Sequence, residues 1–103
     1  MPESADGSFK LNNGVLTCPY DMNAVASKEL NEWCRKLLGC SQSLLSIDMS
    51  GTRHIASHHL GIIAQAWSDA VAQDKKLVVR ISRELKRVFE MSGLDQIFDL
   101  AEN

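Results

Sequence analysis

SLLSIDMSGTRHIASHHLGIIAQAW, from Ser43 to Trp67, changes its hydrophobic period part-way along, and that change sets the fold class. Leu44, Leu45, Ile47 and Met49 form a short apolar run interrupted by Ser46 and Asp48, long enough for a strand and too short for a helix. Gly51 ends the run. Beyond Ser57, the residues Leu60, Ile63, Ala64, Trp67 and Val71 recur at the spacing that lines one helical face. The pattern predicts a buried strand, a short loop and a helix entered at a serine. Serine is a preferred N-cap, and a hydroxyl there lies beside amides with no partner inside the helix, at the positive end of its dipole. Such a place holds an anion, including a phosphate carried by the serine itself.

Outward from this stretch the same alternation continues. On the N-terminal side, Phe9–Leu11 and Val15–Cys18 flank Asn12-Asn13-Gly14, and Asn-Gly between apolar runs predicts a type I′ hairpin. Asn23 is the expected cap of a first helix with Leu30, Trp33, Cys34, Leu37 and Leu38 inward, closed at Gly39. On the C-terminal side, Leu77–Ile81 reads as a strand, and Ser82 caps a helix with Leu85, Val88 and Phe89 inward that closes at Ser92-Gly93. Leu94–Leu100 is a short apolar tail, strand or final helical turn. The order predicts an α/β fold: a small, mostly parallel sheet with a hairpin edge, packed by three to four helices.

Residues 1–7 are polar and expected to be a flexible tail, leaving 8–103 as a single domain. The net charge of −2 gives no overall pull toward nucleic acid or an anionic membrane. The first ten residues lack the basic-then-apolar pattern of a secretory leader, and no apolar run approaches the roughly 20 residues that span a bilayer. A cytoplasmic location is expected. Cys18, Cys34 and Cys40, odd in number and without CxxC spacing, read as reduced thiols.

The central stretch and a second patch, Val88-Phe89-Glu90-Met91-Ser92-Gly93-Leu94-Asp95 and on to Phe98, resemble the STAS domain of bacterial anti-sigma-factor antagonists. That family's pattern is an aliphatic strand ending in Asp, a Ser-Gly loop, an aliphatic residue, then Asp-Ser-Ser-Gly-Leu-Gly opening a helix. Here Asp48, Ser50-Gly51 and Ile55 precede Ala56-Ser57-His58-His59-Leu60-Gly61. Ser57, Leu60 and Gly61 match, whereas Ala56 replaces the acid, His58 the second hydroxyl and His59 the first glycine. The resemblance implies a non-enzymatic interaction module that binds a serine kinase or anti-sigma factor. Phosphorylation of Ser57 would release that partner and a phosphatase would reset the switch. It also implies Ser57 to Gly61 as the docking surface, with Ala56 at its border. The rival implication, favoured by Ala56 and His59, is a STAS-like structural subunit of a transporter or signalling assembly that is never phosphorylated.

Other chemistries fit less well. His54, His58 and His59 fall within six positions, but zinc wants about four ligands in a fixed shell, and no Asp, Glu or Cys is interleaved with them. Exposed loop histidines and no metal or other cofactor are expected. A Ser57–His–Asp48 nucleophile would need an orienting acid and an oxyanion hole, and no Gly-x-Ser-x-Gly elbow is present. Lys75, Lys76, Arg80, Arg83, Lys86 and Arg87 form a basic cluster without interleaved aromatics, which argues against nucleic acid. Parallel strands share their C-terminal edge, so Arg83 is expected on the same rim as Arg53 and Ser57, where the charges would steady an acidic partner or a phosphate.

Overall fold

Asn13 and Gly14 both take left-handed backbone, at φ of 51° and 79°, and this is the turn the Asn-Gly pair predicts. A computed structural model describes residues 9–93 and 99–102 of the chain. The hairpin pairs β1 (Lys10–Asn12) with β2 (Val15–Thr17), Asn12 opposite Val15. A side chain at position 14 would be strained at that φ and would press its Cβ to 3.3 Å from Gln42.

The other described elements follow as α1 (Ser27–Leu38), β3 (Leu44–Met49), α2 (Ser57–Ala72), β4 (Lys76–Ile81), α3 (Arg83–Met91) and β5 (Asp99–Glu102). The sheet order is β1-β2-β3-β4-β5, antiparallel only in the hairpin. Ile47 lies between Leu16 on one side and Val79 on the other. The expected α/β class, hairpin edge and adjacent parallel strands at Leu44–Met49 and Leu77–Ile81 are all borne out. The expected tail at 1–7 and the Leu94–Phe98 part of the C-terminal patch lie outside the described residues.

A strand order that only ever steps one way, with right-handed crossovers, brings α1 and α2 onto the same face of the sheet. Leu45, Ile47, Met49, Leu77, Val79 and Ile81 point to that face and are buried. Leu30, Leu37, Ile63, Leu85 and Phe89 meet them from the helices, and full burial of each such side chain contributes about 1.5–3 kcal/mol. The alternate residues face the other way, with Val15, Leu44, Lys76 and Arg80 exposed.

Three expectations need correction. Asn23 does not cap α1: it sits in a 3-10 turn, Met22–Ala24, and donates its own amide to the Asp21 carboxylate at 2.9 Å. The α1 cap position is Ala26, which has no side-chain acceptor. Helix α2 is also rotated relative to the expected face. Its buried residues are His59, Leu60, Ile63, Ala66 and Ala70, while Trp67 is half-buried and Val71 is 51% exposed. Two alanines let the helix lie close to its neighbours, which a tryptophan at the centre of the contact would prevent. Trp33, also expected inside, is half-buried too, stacked on Phe9 at 5.4 Å with the Lys36 ammonium 4.7 Å from its ring centre.

Candidate functional site

The C-terminal ends of β2, β3 and β4 form one rim, and buried polar side chains tie its loops together. Asp48, the last polar residue of β3, turns its carboxylate back on the chain and accepts from the Ser50 amide (3.0 Å) and hydroxyl (2.7 Å). This side-chain turn folds the strand end over at Ser50-Gly51. Thr52 is fully buried, and its hydroxyl donates to the Pro19 carbonyl at 2.7 Å, across to the segment that leaves β2. On the other side, the Ser82 hydroxyl donates to the Thr52 carbonyl (3.1 Å) and accepts from the Leu85 amide (3.3 Å), so the α3 cap also holds the β3 loop.

Backbone bonds strengthen the first of these ties. The Arg53 amide (2.9 Å) and the His54 amide (3.4 Å) donate to the Tyr20 carbonyl, and the Met22 amide donates to the His54 carbonyl (2.8 Å). Tyr20 is held by its backbone with its ring outside, 58% exposed and edge-on to the His54 ring.

The cap position of α2 is Ala56, not Ser57. Ser57 is its first helical residue; it is exposed, and its hydroxyl makes no hydrogen bond among the described residues. Ala56 has no oxygen with which to cap the helix, and the turn is closed from the third helical position instead. The Ala56 amide donates to His59 Nδ1 at 3.1 Å, and the His59 amide donates to the Ala56 carbonyl at 3.0 Å. His59 Nε2 lies 2.9 Å from the Val25 carbonyl, so Nε2 carries the proton and donates it. The ring is therefore a neutral imidazole, fully buried, with both nitrogens satisfied. The expectation of exposed histidines fails at His59: two backbone partners make its burial affordable. His54 and His58 are exposed, and among the described residues no cluster of His, Cys, Asp or Glu has metal-holding geometry.

The sequence-expected site residues thus fall on one edge. Arg53 is in the β3–α2 loop, Ser57, His58 and Gly61 are exposed on the first turns of α2, and Arg83 opens α3. Leu60 is buried beneath them, and Ala56 is half-buried. Gly61 faces open space, so no close contact requires a glycine there. Arg53 does not turn toward Ser57. Its Nη1 donates to the Ser50 (3.1 Å) and Thr52 (3.3 Å) carbonyls, and its Nε is 3.7 Å from Glu84 Oε1. Nor does the basic cluster stay together. Lys75 sits at the opposite end of β4, where its ammonium donates to the Leu38 carbonyl at 3.0 Å and to that of Cys40.

The sequence model of the STAS domain matches residues 8–103. The chain belongs to that family. A search of curated proteins finds no match. STAS domains are, as a class, protein-binding modules, and the family includes anti-sigma-factor antagonists. No helix among the described residues is long and apolar enough to cross a membrane.

Sequence reasoning missed Thr52, Tyr20 and the inward role of His59. The signal for His59 was present: positions 59, 63, 66 and 70 are a helical face once a histidine is admitted to it. Thr52 and Tyr20 carried no local signal, because their partners lie in other loops.

Proposed function

We propose that this STAS domain is a cytoplasmic partner-switching module of the anti-sigma-factor-antagonist type. Its partner is a serine kinase or anti-sigma factor, phosphorylation of Ser57 releases that partner, and a phosphatase restores binding. The observation that supports it is the Ser57 hydroxyl, exposed and unbonded on the first residue of α2. A phosphate there adds about −1.5 to −2 charges, which the helix N-terminus favours, so the domain stays folded while the docking surface changes sign. A hydrated anion beside Leu60 and His58 must be desolvated before a partner can pack, and each 1.4 kcal/mol or so of that cost is tenfold in affinity. Arg53, Ala56, His58, Gly61 and Arg83 complete the proposed surface, with His59 and Leu60 buried beneath it as its support.

Intact-mass measurement after incubation with ATP and cell extract tests the modification, and pull-downs test the switch. Ser57→Asp is expected to weaken the partner at nearly unchanged melting temperature. Ser57→Ala is expected to keep the partner and resist release. Because Ala56 and not Ser57 is the cap, Ser57→Ala carries no capping loss, and its stability should match wild type within about 0.5 kcal/mol. Equal binding by both variants, with no phosphate on Ser57, would favour the second reading: a permanent STAS-like subunit of a transporter or signalling assembly. The observation on that side is His59, a buried imidazole where the family pattern has a glycine next to the accepting hydroxyls.

A further inference from the structure

Two chain segments meet at the His59 ring. One is the first turn of α2, and the other is Tyr20–Val25, which runs through the 3-10 turn to α1. Among the described residues, the other hydrogen bonds between these parts of the rim reach the β3 loop: Thr52 to Pro19, Arg53 and His54 to Tyr20, Met22 to His54. His59 differs in kind. It belongs to the helix itself, takes the helix's leading amide on Nδ1, and gives its Nε2 proton to Val25. A displacement of the first turn of α2 must therefore stretch the bond to Val25, and a displacement of Val25 must stretch the helix cap.

We propose that His59 is a positioning residue that couples the Tyr20–Val25 segment to the first turn of α2, making the two one interaction surface for a protein partner. This rests on the reading of the rim as a docking surface. The partner then touches Tyr20 as well as Ser57 and His58. Tyr20 suits the role: its ring is mostly exposed, its carbonyl is fixed by two amides, and its ring lies edge-on to that of His54. Exposed aromatic side chains on a fixed backbone anchor protein interfaces, because they offer a large contact area and have few rotatable bonds to order on binding. Charge placed at Ser57 is felt at Tyr20–Val25 through the imidazole. A glycine at position 59 would leave the Ala56 amide and the Val25 carbonyl without these bonds and the two segments free to move apart.

The geometry also names the substitution that should preserve the coupling. Glutamine at the third helical position can accept from the cap amide with Oε1, as in a capping box, and donate from Nε2. The experiment uses the full chain and Ser57→Glu as the probe, read by backbone amide resonances. In an otherwise wild-type background, Ser57→Glu is expected to shift the resonances of Tyr20 to Val25 together with those of the first turn of α2. With His59→Gln the distant shifts should persist. With His59→Ala they should fall several-fold, while those in the α2 turn remain. A role in stability alone would lower the melting temperature but leave the distant response in place. Should His59→Ala fail to fold, the wild-type ring spectrum and the His59→Gln pair still decide. The ring must be the neutral tautomer with hydrogen on Nε2. A proton on Nδ1, distant shifts undiminished in a folded His59→Ala, or their loss in His59→Gln would each overturn the coupling. None of these outcomes depends on whether a kinase modifies Ser57, so the failure of one idea is distinguishable from the failure of the other.

Discussion

The two ends of the parallel strands solve the same problem with different means. At the N-terminal end of β4, α1 finishes and α2 returns, and their last carbonyls need partners. Helix α2 closes on itself: Asp74 takes a left-handed φ of 59°, its amide donates to Val71 and the Lys75 amide to Ala70, at 3.0 and 2.9 Å. That is a Schellman closure with aspartate where glycine is usual. The Lys75 side chain then reaches back to the carbonyls of Leu38 and Cys40, a cation at the negative end of α1. Two adjacent residues of one turn, Asp74 and Lys75, secure this end. At the other end Thr52, His59 and Ser82 are buried, and each binds a backbone group in another loop. The contrast teaches where a surface can be exact without being stiffened from outside: buried polar contacts hold the loops from below and leave Ser57, His58 and Tyr20 free above.

The largest expected contrast is chemical. Cys40, near the N-terminal end, is half-exposed, whereas Cys18 and Cys34 are buried. Burial pushes the Cys34 thiol up from 9.0 to about 12 and raises Cys18 further, with Cys34 and the Asp48 carboxylate adding to the effect. The thiolate is the reactive form. A thiol reagent at mildly alkaline pH should modify the half-exposed Cys40 at once, whereas Cys34 should react about a thousandfold more slowly than an ordinary thiol through its thiolate fraction alone. Peptide mapping of the labelled chain reads this, and fast labelling of Cys34 would show the α1 side of the core to be open. Stability follows the same sign. The unfolded chain releases these protons first, so stability is full below about pH 9 and should decline as pH rises toward 12.

Next comes Thr52→Val, nearly the same shape without the hydroxyl. It leaves the Pro19 carbonyl with no donor in a fully buried place, and should cost about 2–3 kcal/mol. Thermal unfolding measures it, at about 4–8 °C per kcal/mol for a chain of this size. A shift near zero would mean that the ties at this end are not what holds the rim. Lys75→Met removes two charge-assisted bonds in a half-buried setting and should cost less, about 1–2 kcal/mol, without touching partner binding. Lower binding by this variant would break the division between a structural end and an interacting end.

The same contrast explains what could be read from the chain. The hairpin, the two central strands and the α3 cap depend on neighbours within a few residues, and Asn13-Gly14, Leu44–Met49 and Ser82 announce them. The face of α2 was half legible. Leu60 and Ile63 point inward as expected, but hydrophobicity placed Trp67 inside and His59 outside. Packing reversed both, since alanines gave the closer approach and two backbone groups satisfied the ring. Ser57 opens α2 one residue after Ala56, which holds the cap position expected of the serine. The basic cluster misled because contiguity in sequence is not contiguity in space: a six-residue strand carries Lys76 and Ile81 to opposite ends of the sheet.

The smallest expected change in stability lies at the pair that joins the β3 loop to α3. Arg53 Nε and Glu84 Oε1 are 3.7 Å apart, with side chains 36% and 61% exposed. At that exposure water screens the attraction, and such pairs contribute about 0–1 kcal/mol. Arg53 also keeps its bonds to the Ser50 and Thr52 carbonyls when the carboxylate is gone, so Glu84→Gln should leave the melting temperature almost unchanged. Its effect belongs to association. Removing one negative charge between Arg53 and Arg83 makes the rim more positive, and charge at an interface border acts mainly on the rate of encounter. With an acidic partner, Glu84→Gln should speed association and steepen its salt dependence. Arg83→Glu should do the reverse, with dissociation less altered in both. Stopped-flow titrations over a range of ionic strength separate the two rates. Identical salt slopes for wild type and both variants would remove charge from the recognition, and leave the aromatic contact at Tyr20 and the exposed first turn of α2 to account for it.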